Sequence, residues 1–109
     1  MSIDVFEVEY TYLLLEENFS TLYQRCLTAD QKKQLCDLYS AARYACWKAV
    51  EQARRDEGGV DSSVSRDLKM TNLQLATTLQ NLGDIGACLT LAAEAVRLAS
   101  AVAPAPVDT

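Results

Sequence analysis

Between Ile85 and Ala103 only Thr90, Glu94, Arg97 and Ser100 interrupt a run of apolar and small residues. At about 100° per residue, Thr90, Glu94 and Arg97 fall in one narrow stripe, with Ser100 at its edge. A helix that is apolar over nearly all of its circumference must be covered, by protein or by lipid. The span of 19 residues is just long enough to cross a bilayer. However, Glu94 and Arg97 sit near its middle, where each costs roughly 3 kcal/mol in a membrane. The residues around them are rich in alanine, which is only weakly apolar. The reading is a buried helix in a soluble assembly, with no membrane partner.

The rest of the chain divides at its glycines. Proline is absent from residues 1–103, and glycine occurs only at Gly58, Gly59, Gly83 and Gly86. The first predicted helix runs from about Asp4 to Cys26, with Asp4 and Glu7 as a capping-box variant. Val5, Val8, Tyr12, Leu15, Phe19, Leu22 and Cys26 give it an unbroken heptad seam. The second starts at Thr28, where Thr28 and Gln31 form a T-x-x-Q box, and stops at Gly58-Gly59. Its seam is Leu35, Tyr39, Ala42, Cys46, Ala49 and Ala53, whose small members allow close helix approach. The third spans about Ser63 to Leu82 on Leu68, Asn72, Leu75, Leu79 and Leu82. Asn72 is the polar member of that seam: it either fixes register or sits at the rim. Gly83 closes this helix and Asp84 caps the fourth, which Pro104 and Pro106 end. The expected fold is a single all-α domain over residues 1–103, an antiparallel bundle of about four helices. Residues 104–109 form a frayed tail.

Charge is distributed unevenly along this bundle. Residues 1–69 hold 21 charged side chains and residues 70–109 hold four; none lies between Lys69 and Asp84. Solvent-facing helices usually carry Lys and Glu, whereas interface cores are depleted in charge. Four helices have difficulty enclosing one of their own on nearly all sides, and a second copy would solve this. The expectation is a homodimer with the third and fourth helices at the interface. The candidate interface residues are Trp47, Asn72, Leu75, Leu79, Leu89, Ala92, Val96 and Arg97. Trp47 lies beside the second seam with Arg43 and Arg54, as a core-edge residue or an interface anchor.

Several function classes lack their chemistry. The net charge of −5 disfavours nucleic acid, which wants a basic face, and anionic membrane surfaces. No histidine is present, so Ser-His-Asp, Cys-His and Glu-x-x-His di-iron arrangements cannot be built. No P-loop or G-x-G-x-x-G occurs, and the acids are not paired on one helix face as a magnesium site needs. Cys26, Cys36, Cys46 and Cys88 form no CxxC. Each lies at or beside an apolar helical position, which reads as buried free thiols in a reducing, cytoplasmic setting. No secretory signal opens the sequence. Catalytic, cofactor-binding and metal residues are therefore expected to be none.

Asn81-Leu82-Gly83 followed by Ala92, Ala93, Glu94, Ala95 and Val96 is similar to one tetratricopeptide unit. The similarity is not repeated along the chain, and such units need about three copies to bury their faces, so it implies no function. The expected function is a non-catalytic interaction module: an adaptor, regulator or assembly factor that binds itself and another protein. The alternative is a small-molecule-binding or enzymatic bundle, with a pocket between helices lined by Tyr12, Tyr39, Tyr44 and Trp47.

Overall fold

The computed structural model describes residues 5–54 and 62–102. They form four α-helices and no strand: α1 (Val5–Arg25), α2 (Ala29–Arg54), α3 (Ser62–Gln80) and α4 (Ile85–Val102). The Asp4 cap, the Gly58-Gly59 stop and the 104–109 tail lie outside the described residues. Capping chemistry sets the visible ends. The Gln31 N–H donates to Thr28 Oγ1 at 3.0 Å, and Gln31 Oε1 accepts from the Leu27 N–H at 2.6 Å. That satisfies two amides at the start of α2, the second of them one residue before the cap. Asp84 Oδ1 accepts from the Gly86 N–H at 2.9 Å and caps α4. Arg25 reaches across from the end of α1 to donate to the Leu82 carbonyl beyond α3, at 2.5 Å.

Cross-helix contacts give the directions. Tyr23 meets Lys32 while Tyr12 and Phe19 meet Tyr39, so α1 and α2 run antiparallel. Only four residues connect Gln80 to Ile85 and the two helices pack along each other, with Leu91 bordering the same groove as Gln74 and Thr78, so α3 and α4 do the same. Asn72 bonds Glu7 and Arg25 bonds Leu82, so α1 and α3 run parallel. A Cβ built on Gly86 would lie near Gln31, so the starts of α2 and α4 adjoin and these two also run parallel. The molecule is two helical hairpins laid side by side. α1 and α4 each touch the other three helices, whereas α2 and α3 do not meet among the described residues. α1 and α4 thus form the short diagonal, and the core lies around them.

The heptad seams point inward as predicted. Val8, Leu15 and Leu22 of α1, Leu35, Ala42 and Ala49 of α2, and Leu68 and Leu75 of α3 are all buried. In α4, Ile85, Cys88, Leu89, Ala92, Ala95, Val96, Leu98, Ala99 and Val102 are buried, and Thr90, Glu94 and Arg97 are exposed. The polar stripe faces solvent and the apolar arc is covered by α1, α2 and α3. By length and composition α4 could also cross a membrane. Here it is the core helix. The second copy invoked to cover it is not required for that purpose, because small residues let three helices approach it closely. Ala42, Ala45 and Ala49 of α2 are buried, as are Ala92, Ala95 and Ala99 of α4.

Candidate functional site

The predicted interface residues separate into two groups. Asn72, Leu75, Leu89, Ala92 and Val96 are buried within one chain and offer nothing to a partner in this fold. Leu79 is half-buried against the core. Only Trp47, 60% exposed, and Arg97 stand on the outside. Arg97 is engaged by its own helix: its Nε donates to Glu94 Oε2 at 3.0 Å, and its Nη2 donates to Glu94 Oε1. That pairing lowers the Glu94 carboxyl below its usual range and raises the guanidinium.

Asn72 is at no rim. It is fully buried where α3 meets α1. Its Nδ2 donates to the Glu7 carbonyl at 3.0 Å and to Glu7 Oε1 at 3.1 Å. The Thr11 hydroxyl lies 2.9 Å from Asn72 Oδ1 and 3.0 Å from the Glu7 carbonyl, and its one proton is shared between these two acceptors. Glu7, the one described member of the expected Asp4 cap, is itself buried here. Sliding α3 along α1 by one turn would leave these groups unpaired in an apolar setting, so the cluster fixes register. It ties α3 to α1 at one level.

Of the four tyrosine and tryptophan residues expected to line one pocket, Tyr39, Tyr44 and Trp47 border one open depression, and Tyr12 does not. Tyr12 and Tyr39 meet in the α1–α2 seam, hydroxyl to hydroxyl at 3.5 Å with ring centroids 5.7 Å apart. Phe19 lies 5.2 Å from Tyr39, which extends the seam, and Lys32 stands 5.2 Å over Tyr23. The Tyr39 hydrogen bond, helped by burial and the nearby Glu16 carboxylate, pushes the Tyr12 phenol up to about 12. Tyr44 and Trp47 lie outside, stacked at 6.0 Å with an interplanar angle of 21°. With Tyr39, Ser40 and Arg43 they border an open depression on the outer side of α2. Lys48 stands over the Tyr44 ring at 5.3 Å. Trp47 is therefore no core-edge residue.

The outer side of the α3–α4 hairpin differs in character. Met70 and Leu73 are exposed there and flank a shallow groove with Gln74, Thr77, Thr78 and Leu91. Thr77, Thr78 and Thr90 donate their hydroxyls to the Leu73, Gln74 and Gly86 carbonyls of their own helices. Their donors are spent on the backbone, so this face is less polar than its composition.

The cysteines do not form an activated site. Cys26 and Cys88 are buried and Cys46 half-buried, and desolvation raises all three thiols, with Lys32 only partly offsetting it at Cys26. Cys36 departs from the expected burial and is exposed, because it falls one position round from Leu35 on the solvent side of α2. All four are free thiols, and no ligand cluster of three or more His, Cys, Asp or Glu side chains occurs among the described residues. No family model, curated protein or solved structure matches the chain.

Proposed function

We propose that the chain is a non-catalytic protein–protein interaction module, which binds another protein and itself through its outer helix faces. The observation that carries this is the stacked Tyr44–Trp47 pair, 58% and 60% exposed, with Arg43 beside it. Exposing two large aromatic side chains on a charged helix gains nothing for the isolated fold. Trp, Tyr and Arg are also the residue types that dominate binding hot spots. The four free thiols suit a reducing, cytoplasmic setting. The test compares capture of native cytosolic proteins by the chain and by Trp47→Ala, read by quantitative mass spectrometry. A defined set of captured proteins should fall at least tenfold with the variant. Indistinguishable capture by the two would overturn the reading.

A second reading has its own observation. The depression bordered by Tyr39, Ser40, Arg43, Tyr44 and Trp47 offers rings, a hydroxyl and a guanidinium to a small planar anion. A saturable shift of Trp47 fluorescence on titrating a metabolite panel would favour it over the interaction module.

A further inference from the structure

We infer that the outer flank of the α1–α2 hairpin is a self-complementary docking surface whose occupant is a second copy of this chain, with α1 of each copy on α2 of the other. The inference rests on the interaction-module reading and names one partner for it.

Helical phase places the flank. In α1, the residues turned away from the core include Phe6, Glu9, Leu13 and Glu16; in α2 they include Arg43 and Trp47. In an antiparallel pair with both seams packed inward, these two sets emerge on the same side of the hairpin. Phe6 and Leu13 of α1 are 70% and 42% exposed and Trp47 of α2 is 60% exposed, so the flank carries apolar side chains on both helices.

Its two halves are oppositely charged. α1 holds four glutamates against one arginine, and only Glu7 of those glutamates is turned into the protein. α2 holds five bases against three acids; Arg43 faces this flank, whereas Asp30, Lys33 and Asp37 border a groove on another side of the helix. Glu9, Glu16, Glu17 and Arg43 make no ion pair among the described residues. A chain with a net charge of −5 would repel its own copy on a uniformly acidic face. This flank avoids that penalty, because a twofold axis running along the hairpin between its helices sets acidic α1 against basic α2 twice over.

Register agrees with that axis. From the Tyr23–Lys32 and Phe19–Tyr39 contacts, Trp47 stands near the level of Val8 and Arg43 near that of Tyr12. The axis keeps every level unchanged. Trp47 of the second copy therefore falls between Phe6 and Leu13, and its Arg43 falls between Glu9 and Glu16. The 21 residues of α1 give the flank a length of about 30 Å. Two helix widths make a flat footprint of roughly 600 Å², and interdigitating side chains add to it, approaching the roughly 800 Å² per partner of a stable interface.

The experiment measures mass by sedimentation equilibrium on the full chain across micromolar concentrations. Four samples are compared: the unaltered chain, Arg43→Glu, the double variant Glu9→Lys/Glu16→Lys, and an equimolar mixture of the two variants. The unaltered chain should dimerise. Each variant alone places like charges opposite each other at both symmetry-related contacts, and its dissociation constant should rise at least tenfold. The mixture restores opposite charges at both contacts and should dimerise at least as tightly as the unaltered chain. Circular dichroism checks that these exposed substitutions leave the helices intact. An unaltered chain that stays monomeric overturns the inference, as does a dimer that neither variant weakens or a mixture that is not rescued. Trp47-dependent capture of other proteins would survive each of those results, so the part of the interaction-module reading that concerns another protein stands or falls separately.

Discussion

α4 and α2 invert the usual relation between apolar composition and binding surface. α4 is the most apolar helix in the molecule, and half of its 18 residues are buried. α2 is the longest at 26 residues and the most polar on average, with only Leu35, Ala42, Ala45 and Ala49 fully buried. Yet α2 carries the exposed Trp47 and Tyr44. The apolar helix is spent on holding one chain together. The polar helix buries alanines and leaves Tyr44 and Trp47 for the outside. Apolarity measures how much covering a helix needs; exposed aromatic area measures what remains for a partner.

The largest effects should come from damage to α4 and its contacts. Leu89→Ala removes a fully buried side chain facing the core, and unfolding free energy should fall by about 2–5 kcal/mol in urea denaturation. A loss under about 1 kcal/mol would mean that α4 is not the core helix. Ala95→Leu adds volume where α4 has none to give and should cost about 1–3 kcal/mol. Next comes the latch between α1 and α3. Asn72→Ala leaves Glu7 and Thr11 short of a buried partner and should cost about 2 kcal/mol. Asn72→Leu should keep stability closer to the parent while widening the NMR lines of α1 and α3, as register loses its polar constraint. Sharp lines in that variant would show that packing alone sets register.

Rising pH should erode the fold progressively. The Tyr12 phenol is held neutral up to about 12 by Tyr39, against an ordinary value of 10.0. Cys26, Cys46 and Cys88 are raised above 9.0 by burial. Each group keeps its proton longer folded than unfolded, so its contribution is complete below the unfolded value. It is lost as pH climbs through the folded one. The urea midpoint should therefore decline from pH 9 towards pH 12, with one tyrosine ionising late by ultraviolet absorbance. A midpoint that holds or rises over that window would remove the Tyr12–Tyr39 bond from the account. The smallest effect on the fold belongs to α2: Trp47→Ala should change stability by under about 0.5 kcal/mol while reducing capture and self-association. A large loss of stability there would mean that Trp47 is a core residue after all.

The helices were legible because each signal is local. Thr28 and Gln31 lie within one turn, Asp84 caps Gly86 two residues on, and the heptad spacing of Val8, Leu15 and Leu22 puts all three on one face whatever they meet. Such features depend only on backbone geometry and side-chain chemistry along a few residues. What covers a face is not local. The arc of α4 reads equally well as core or as interface, and the choice turned on whether Ala42, Ala45 and Ala49 would bring α2 close enough to share it. The Asn72 position likewise reads as rim or register until Glu7 and Thr11, more than 60 residues away in sequence, close around it. Trp47 reads as core edge or interface anchor because it adjoins a seam; the packing of the hairpins leaves it outside. The sequence by itself determined four helices, their inward faces and the need to cover α4. Tertiary structure decided what covers it, because that depends on which surfaces distant segments bring together.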